Sequence, residues 1–333
     1  MHSRRKILVS SLSIAGLSQL PLHAQSRLPS GPIELSVAFG AGSSTDAAAR
    51  VVGLGLSQRL NRPVTVVNRP GANGNIAIQA LRNAPANGLF MLLHVNGVAI
   101  DQVTRQDRIF DVRKDIAPVT KIAEGNFGLF IHPSVPVQNA REFIEFARKN
   151  PGKLNYGSSG AGGTAHLTWE YIKAATNTNI VHVPYSTGGS AASLNALLAG
   201  DVHAVINEIS TFKPHAVAGK LKAIAMVSRN RAEAMPTVPT LSEQNIPGLE
   251  RFSSSLWLGT FMHVNTPEPI VAEMAREVNA MLESPDVLDR LRNMGFNANM
   301  IGGTRNPSEF REFILSEVEM AERVVKLANI PLR

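Results

Sequence analysis

The sequence predicts an α/β fold with mainly parallel sheets, divided into two lobes, and three observations predict it. Short apolar runs alternate with amphipathic helical patterns along the chain, the order that builds sheets covered by helices. Two Gly/Ser-rich loops, Val37–Asp46 and Gly157–His166, each lead out of an apolar run into a helix start, one in each half of the chain. The 333 residues, 44% hydrophobic, exceed what one core usually organises, about 250–300 residues.

From the first residue, Arg4, Arg5 and Lys6 precede an apolar run, Ile7–Leu22, that ends at Leu22-His23-Ala24. Residues 1–24 therefore read as an export signal cut near Ala24, and the paired arginines leave a twin-arginine route open beside the general one. Serines at 10, 11, 13 and 18 make this run too polar for a good membrane span, and no later segment approaches one. The mature chain is thus expected to be soluble and to work outside the cytoplasm. Strands are expected at Ile33–Phe39, Val64–Val67, Phe90–Val95, Gly128–Ile131, Ile180–Val183, Ala204–Ile206 and Leu221–Val227, with a further possible one before Gly157. Helices are expected at Ala47–Leu60, Asn75–Leu81, Ala140–Lys149, Thr164–Ala175, Ser190–Ala199, Pro267–Leu282 and Pro307–Ala328, where apolar residues recur at three- and four-residue spacing.

The two loops have the chemistry of anion cradles. Glycines admit close backbone approach, Ser43, Ser44, Thr45, Ser158 and Thr164 supply hydroxyls, and the first N–H groups of the following helices carry partial positive charge. In parallel sheets such loops stand at the carboxyl ends of strands, where ligands bind. One such loop alone would read more simply as a turn with an N-cap; two of them point to a cleft.

Composition excludes several classes. With no cysteine there is no disulfide, thiol nucleophile or thiolate metal site. Arg4, Arg5 and Lys6 supply three of the net +7, leaving a modest +4 for the mature chain, and aromatics are 5% of residues, so a nucleic-acid surface is not expected. The nine histidines are dispersed without a His-Glu-x-x-His pattern, and no metal or other cofactor is expected. Ala161 spoils a Gly-x-Ser-x-Gly elbow at Gly157, and Thr45 spoils a dinucleotide fingerprint at Gly40, so the chain reads as a binding protein and not an enzyme.

Six stretches in order carry a family resemblance: Val37–Asp46, Val67–Ile76, Pro151–Ser158, His182–Tyr185, Val238–Glu243 and Trp257–Gly259. Over nearly all its mature length the chain resembles the periplasmic solute receptors of tripartite tricarboxylate transporters, the Bug-type receptors. The resemblance implies a type II periplasmic-binding fold, two α/β lobes with a ligand cleft between them. It implies lobe one from residues 25–126 plus 229–333, lobe two from 127–228, and a monomer. Its partners would be a small carboxylate and the membrane subunits of a transporter; a receptor presenting its closed form to a membrane sensor kinase is the alternative.

Carried onto this chain, the pocket falls on Phe39, Gly42, Ser43, Thr45 and Asp46 of the first loop and on Ser158, Gly162, Gly163 and Thr164 of the second. Asn96, Tyr185, Ser186 and Asn207 are expected to select the rest of the solute. Bland readings stand beside these: Asp46 as a helix-start acid, His166 as a packed or capping histidine, and Tyr185 as a core aromatic. The chain departs from the family's Pro-Phe-Ala-Pro-Gly-Gly by reading Ala38-Phe39-Gly40-Ala41-Gly42-Ser43, which softens the first loop. Asn207 stands where the family often has Asp, which argues for an organic or aromatic acid without an amine.

Overall fold

A computed structural model of the chain describes residues 28–71, 74–106, 108–185, 189–250, 252–296, 306–328 and 330. The expected export signal, Ala72 and Asn73 of the second motif, and Ser186 lie outside the described residues. The chain opens with β1 (Ile33–Val37), α1 (Ser44–Leu60), β2 (Val64–Asn68), α2 (Asn75–Asn83), β3 (Phe90–Val95), α3 (Gly97–Thr104) and β4 (Ile116–Ile131). It continues with α4 (Ala140–Lys149), β5 (Asn155–Ser158), α5 (Thr164–Thr176), β6 (Val181–Pro184), α6 (Gly189–Ala199), β7 (Ala204–Glu208), α7 (Ile209–Val217) and β8 (Lys222–Met226). It closes with β9 (Ser255–His263), α8 (Glu268–Leu282), α9 (Pro285–Asn293) and α10 (Pro307–Leu327).

Among the described residues the strands run in the order β2-β1-β3-β9-β4-β7-β5-β6, with β8 also on β4. The organiser is β4, sixteen residues buried along their whole length. Its Ile116–Asn126 part pairs with β9, and its Phe127–Ile131 part pairs with β7. One strand therefore belongs to both halves of the sheet. Parallel pairing holds only in the outer strands, β2-β1-β3 and β7-β5-β6. The expectation of mainly parallel sheets is corrected here: β4 and β9 run antiparallel to every neighbour they have, because both are crossing strands and not members of βαβ units.

Burial along β4 includes charges, and these are paired. Lys121 bonds Glu124 inside the protein, and its ammonium also lies 4.5 Å from the ring centroid of Phe313 on α10. Trp257 of β9 donates from Nε1 to Glu317 at 3.1 Å, so α10 is fastened to the same region by a buried carboxyl.

After β8 the course of the chain is set by bonds to β8 itself and to α4. After β8, residues 229–250 stay with the second half: Met226 N–H donates to Pro239 O, Leu241 N–H donates to Met226 O, and Gln244 bonds both Ile224 O and the Ala140 amide. Ala232 and Val238 enter the apolar cluster of Phe130, Phe212 and Leu197. The chain rejoins the first half only at Ser254 and Ser255, where Ser254 N–H donates to Val227 O and Ser255 pairs with Asn126. Residues 229–250 thus run beside β8 and α4 before the chain enters β9.

Helices cover both faces. Residues of α2, α3 and α10 share a cluster with Trp257 and Phe261, while α1, α8 and α9 pack on the opposite side of β1 and β9. No helix among the described residues is long and apolar enough to cross a membrane.

Candidate functional site

Both Gly/Ser loops stand at the carboxyl ends of strands, β1 and β5, and both run straight into helix N-termini. They are built to one plan. Gly42 and Gly162 have φ of 82° and 71°, left-handed values that a side chain rarely adopts, and each starts the turn into its helix. The Gly42 N–H donates to the Asp46 carboxylate at 3.0 Å, and the Gly162 N–H donates to Nδ1 of His166 at 2.8 Å. In each case the acceptor lies four residues on, in the first turn of the helix. The loop is held open by its own helix.

The helix starts differ in their caps. Ser43 is the N-cap of α1 and its hydroxyl oxygen accepts the Asp46 N–H at 3.1 Å, while Ala47 N–H returns to Ser43 O. The amides of Ser44 and Thr45 have no partner among the described residues. Gly163 caps α5 with no side-chain bond, which leaves the amides of Thr164 and Ala165 open in the same way. Open first-turn amides at the positive end of a helix are an anion site.

Asp46 itself is occupied. It is 4% exposed, and its two oxygens accept from the Gly42 amide, the Arg50 guanidinium and Asn68 Nδ2. Burial raises its pKa, but the bonds from Arg50, Gly42 and Asn68 outweigh that and hold the carboxyl below its ordinary value. Asn68 also donates to Phe39 O at 2.9 Å, so Asp46 shapes the loop on both sides.

Beneath the second loop lies a stack of rings: His166 on His182 at 4.2 Å, His182 on Tyr156 at 4.8 Å, Tyr156 on Trp169 at 4.7 Å. Ser158 is fully buried and its hydroxyl meets His182 Nε2 at 2.7 Å and the backbone of Gly160, so it braces the loop from below instead of facing the cleft. Burial pushes His182 down to about 4, with the neighbouring His166 adding to the effect, so the ring is neutral near pH 7. Glu170 is held low by Lys173 and Tyr156 against the burial that would raise it.

The remaining expected residues separate into two groups. Asn96 opens α3 and donates from Nδ2 to Ser255 O at 3.0 Å, tying the end of β3 to the crossing strand. Asn96 and Thr164, from opposite halves, line one cavity of about 80 Å³ together with Thr168, Ser254, Ser255 and Glu317. Thr168 donates to the Ser254 hydroxyl at 2.9 Å on its wall. Phe39 sits edge-on to His94 with centroids 5.8 Å apart. Tyr185, by contrast, packs its ring on the apolar cluster of Leu194, Val202 and Val205, the core reading weighed for it. Asn207 accepts from the Ser190 hydroxyl and from the Glu208 amide.

Two features were missed from sequence. Glu208 ends β7, where burial raises its pKa and the Ser44 hydroxyl of the first loop acts against that shift. The crossing segment Ser253–Ser255 lines the interlobe cavity. The expected strand stopped at Ile206, and no motif in the sequence singled out Ser253–Ser255. No cluster of metal-binding side chains occurs among the described residues.

Two helix-start loops of one plan, at strand ends on either side of the crossing strands β4 and β9, are the arrangement of a two-lobed solute-binding receptor, a non-enzymatic class. The chain belongs to the tripartite tricarboxylate transporter family receptors, whose family profile matches residues 48–330. It is 28% identical to Protein BugT of Bordetella pertussis over 335 residues, covering all of both chains. Among solved structures it is similar to R. palustris Rpa4515 with adipate, at 30% identity and a TM-score of 0.78, covering 90% of this chain and 98% of that one. It is also similar to MatC from Rhodopseudomonas palustris with bound malate, at 25% identity and a TM-score of 0.75, covering 88% and 98%. The fold is shared with the periplasmic binding protein BugD, at 24% identity and a TM-score of 0.77, covering 91% of this chain and 99% of that one.

Proposed function

We propose that this receptor captures a small carboxylate, an organic or aromatic acid, in the periplasm and delivers it to the membrane subunits of a tripartite tricarboxylate-type transporter. The observation that carries the reading is the matched pair of open helix starts, Ser44–Thr45 and Thr164–Ala165, each braced by a glycine amide bonded four residues on. A carboxylate at the first pair would receive amide hydrogen bonds and the field of α1, and closure would bring α5 to the same anion. The acids named with Rpa4515 and MatC, adipate and malate, are consistent with a carboxylate as solute.

In this reading lobe one takes residues 25–126 and the chain from about 252 onward, and lobe two takes the residues between. The receptor acts as a monomer after removal of residues 1–24. Affinity then depends on how much better the closed form binds than the open one.

Thermal shift of the mature protein, refolded to strip any carried-over ligand, tests this against mono-, di- and tricarboxylates, aromatic acids and uncharged analogues. A melting temperature raised by carboxylates alone supports the reading. No rise with any carboxylate overturns it.

A further inference from the structure

The cavity between the halves has a mixed lining. Asn96, Thr164 and the crossing segment Ser253–Ser255 supply polar groups, while Ile100, Leu167 and Val324, from α3, α5 and α10, form one apolar cluster along it. Thr164 is also the first residue of α5, with its amide open, so the cavity begins at the second helix start. Its volume, about 80 Å³, is room for roughly five to eight water-sized groups.

One acidic side chain belongs to this lining. Glu317 of α10 accepts Trp257 Nε1 through Oε2 at 3.1 Å, and its Oε1 has no hydrogen-bond partner among the described residues. The charges that act on it are Glu124 and Lys121 of β4, and those two are bonded to each other. Two carboxyl groups beside one ammonium leave a negative charge without a counter-charge at the edge of the cavity. Burial raises the Glu317 pKa, the Trp257 bond lowers it, Glu124 raises it again and Lys121 opposes the rise, with the balance upward. A carboxylate so placed is costly until a donor reaches it.

We propose that Glu317 is a specificity residue of the receptor, accepting a hydrogen bond from a hydroxyl or ammonium group of the solute whose carboxylate sits at the Thr164 end of the same cavity. This rests on the receptor reading above and narrows its substrate class to short acids that carry a donor besides the carboxylate. The chemistry is directional. An ammonium balances the uncompensated charge and a hydroxyl supplies the missing hydrogen bond, whereas a second carboxylate brings only acceptors against Glu317. Ile100, Leu167 and Val324 pack on the carbon skeleton between the two ends. Asn207 does not line this cavity, so its lack of charge does not exclude an amine there.

Isothermal titration of the mature protein with matched acids tests this: roughly four- to six-carbon aliphatic acids, sized to the cavity, each as the plain acid, the hydroxy acid, the amino acid and the dicarboxylate, substituted at the second carbon or at the chain end. The hydroxy or amino member is expected to bind about tenfold or more tightly than the plain acid and the dicarboxylate of the same skeleton, and which of the two wins identifies the donor. E317Q keeps an oxygen for Trp257 and removes the charge, and in it that preference should fall by about fivefold or more. A321L, which fills the cavity from α10 and leaves Glu317 in place, should weaken binding of the donor-bearing acid by about fivefold or more. Both variants are first shown to be folded by their melting curves. Plain acids or dicarboxylates that bind as tightly as the donor-bearing acids, a preference unchanged in E317Q, or full affinity in A321L overturns the role of Glu317 and leaves the receptor reading standing. Binding of no carboxylate at all overturns both.

Discussion

His166 Nδ1 accepts the backbone N–H of Gly162 at 2.8 Å, and so fixes the second helix-start loop through an imidazole where the first loop uses the carboxylate of Asp46. The ring is itself stacked on His182, so the loop rests on a column of aromatic side chains reaching Trp169. Replacing the acceptor should loosen the loop without removing any atom that meets the solute. H166A is expected to weaken carboxylate binding by about 1 kcal/mol, while H166N, which keeps a polar atom near Gly162, recovers part of it. Titration calorimetry at pH 7.5 checks this, and equal affinities in H166A and the parent chain would refute it.

Asp46 carries more of the fold. Its carboxylate is buried and receives Gly42, Arg50 and Asn68 together, so D46A strands the Gly42 amide and leaves Asn68 Nδ2 with Phe39 O alone. Hydrogen bonds to a charged group are worth about 1.5–3 kcal/mol, and D46A should lose about 2 kcal/mol of stability in urea unfolding as well as solute affinity. D46N should fall between the two.

The histidine stack predicts a pH dependence. His182 has its pKa lowered from 6.5 to about 4, so the unfolded chain binds a proton that the fold refuses. The stabilising contribution is complete above pH 6.5 and is lost as pH falls from 6.5 towards 4. His203, also lowered, acts in the same direction, whereas Glu208 and Glu317, raised by burial, act in the opposite one. The test is therefore the difference between the parent chain and H182Q: melting temperatures followed from pH 7.5 to pH 4 should fall less steeply in H182Q. Parallel curves would show that the ring is not held neutral.

Gly259 lies in the middle of β9, and a Cβ there would come within 2.2 Å of Phe310 Cζ on α10. Phe310 is fully buried between Trp257 and Phe261, so its ring has no room to withdraw. G259A should therefore destabilise the protein by about 1–3 kcal/mol through overpacking, read as a lower urea midpoint with an unchanged slope.

Much of the site was legible because its signals are local. Glycine followed by hydroxyl residues at a helix start is written in adjacent letters, and the loops at Gly42 and Gly162 fall where those letters put them. The strand β4 was legible only from Gly128 on, since Pro118, Lys121, Glu124, Gly125 and Asn126 interrupt the apolar pattern before it; their burial depends on a Lys–Glu pair and on β9, more than a hundred residues away. Helix α3 was hidden because Asn96-Gly97 reads as a turn and the eight-residue helix that follows is too short to show a periodic pattern. Glu208 was passed over for a related reason: nothing near it in sequence shows that Ser44 will act on it.

The continuity of β4 has a further consequence for the molecule as a folding object. Each half of the sheet borrows an interior strand from the same sixteen residues, so neither half possesses a complete set of edges of its own. A cut near Asn126 would not release two modules but two fragments with raw β-edges, each seeking the other. The two halves of the sheet should therefore melt in a single cooperative transition, as one cloth woven on a shared thread.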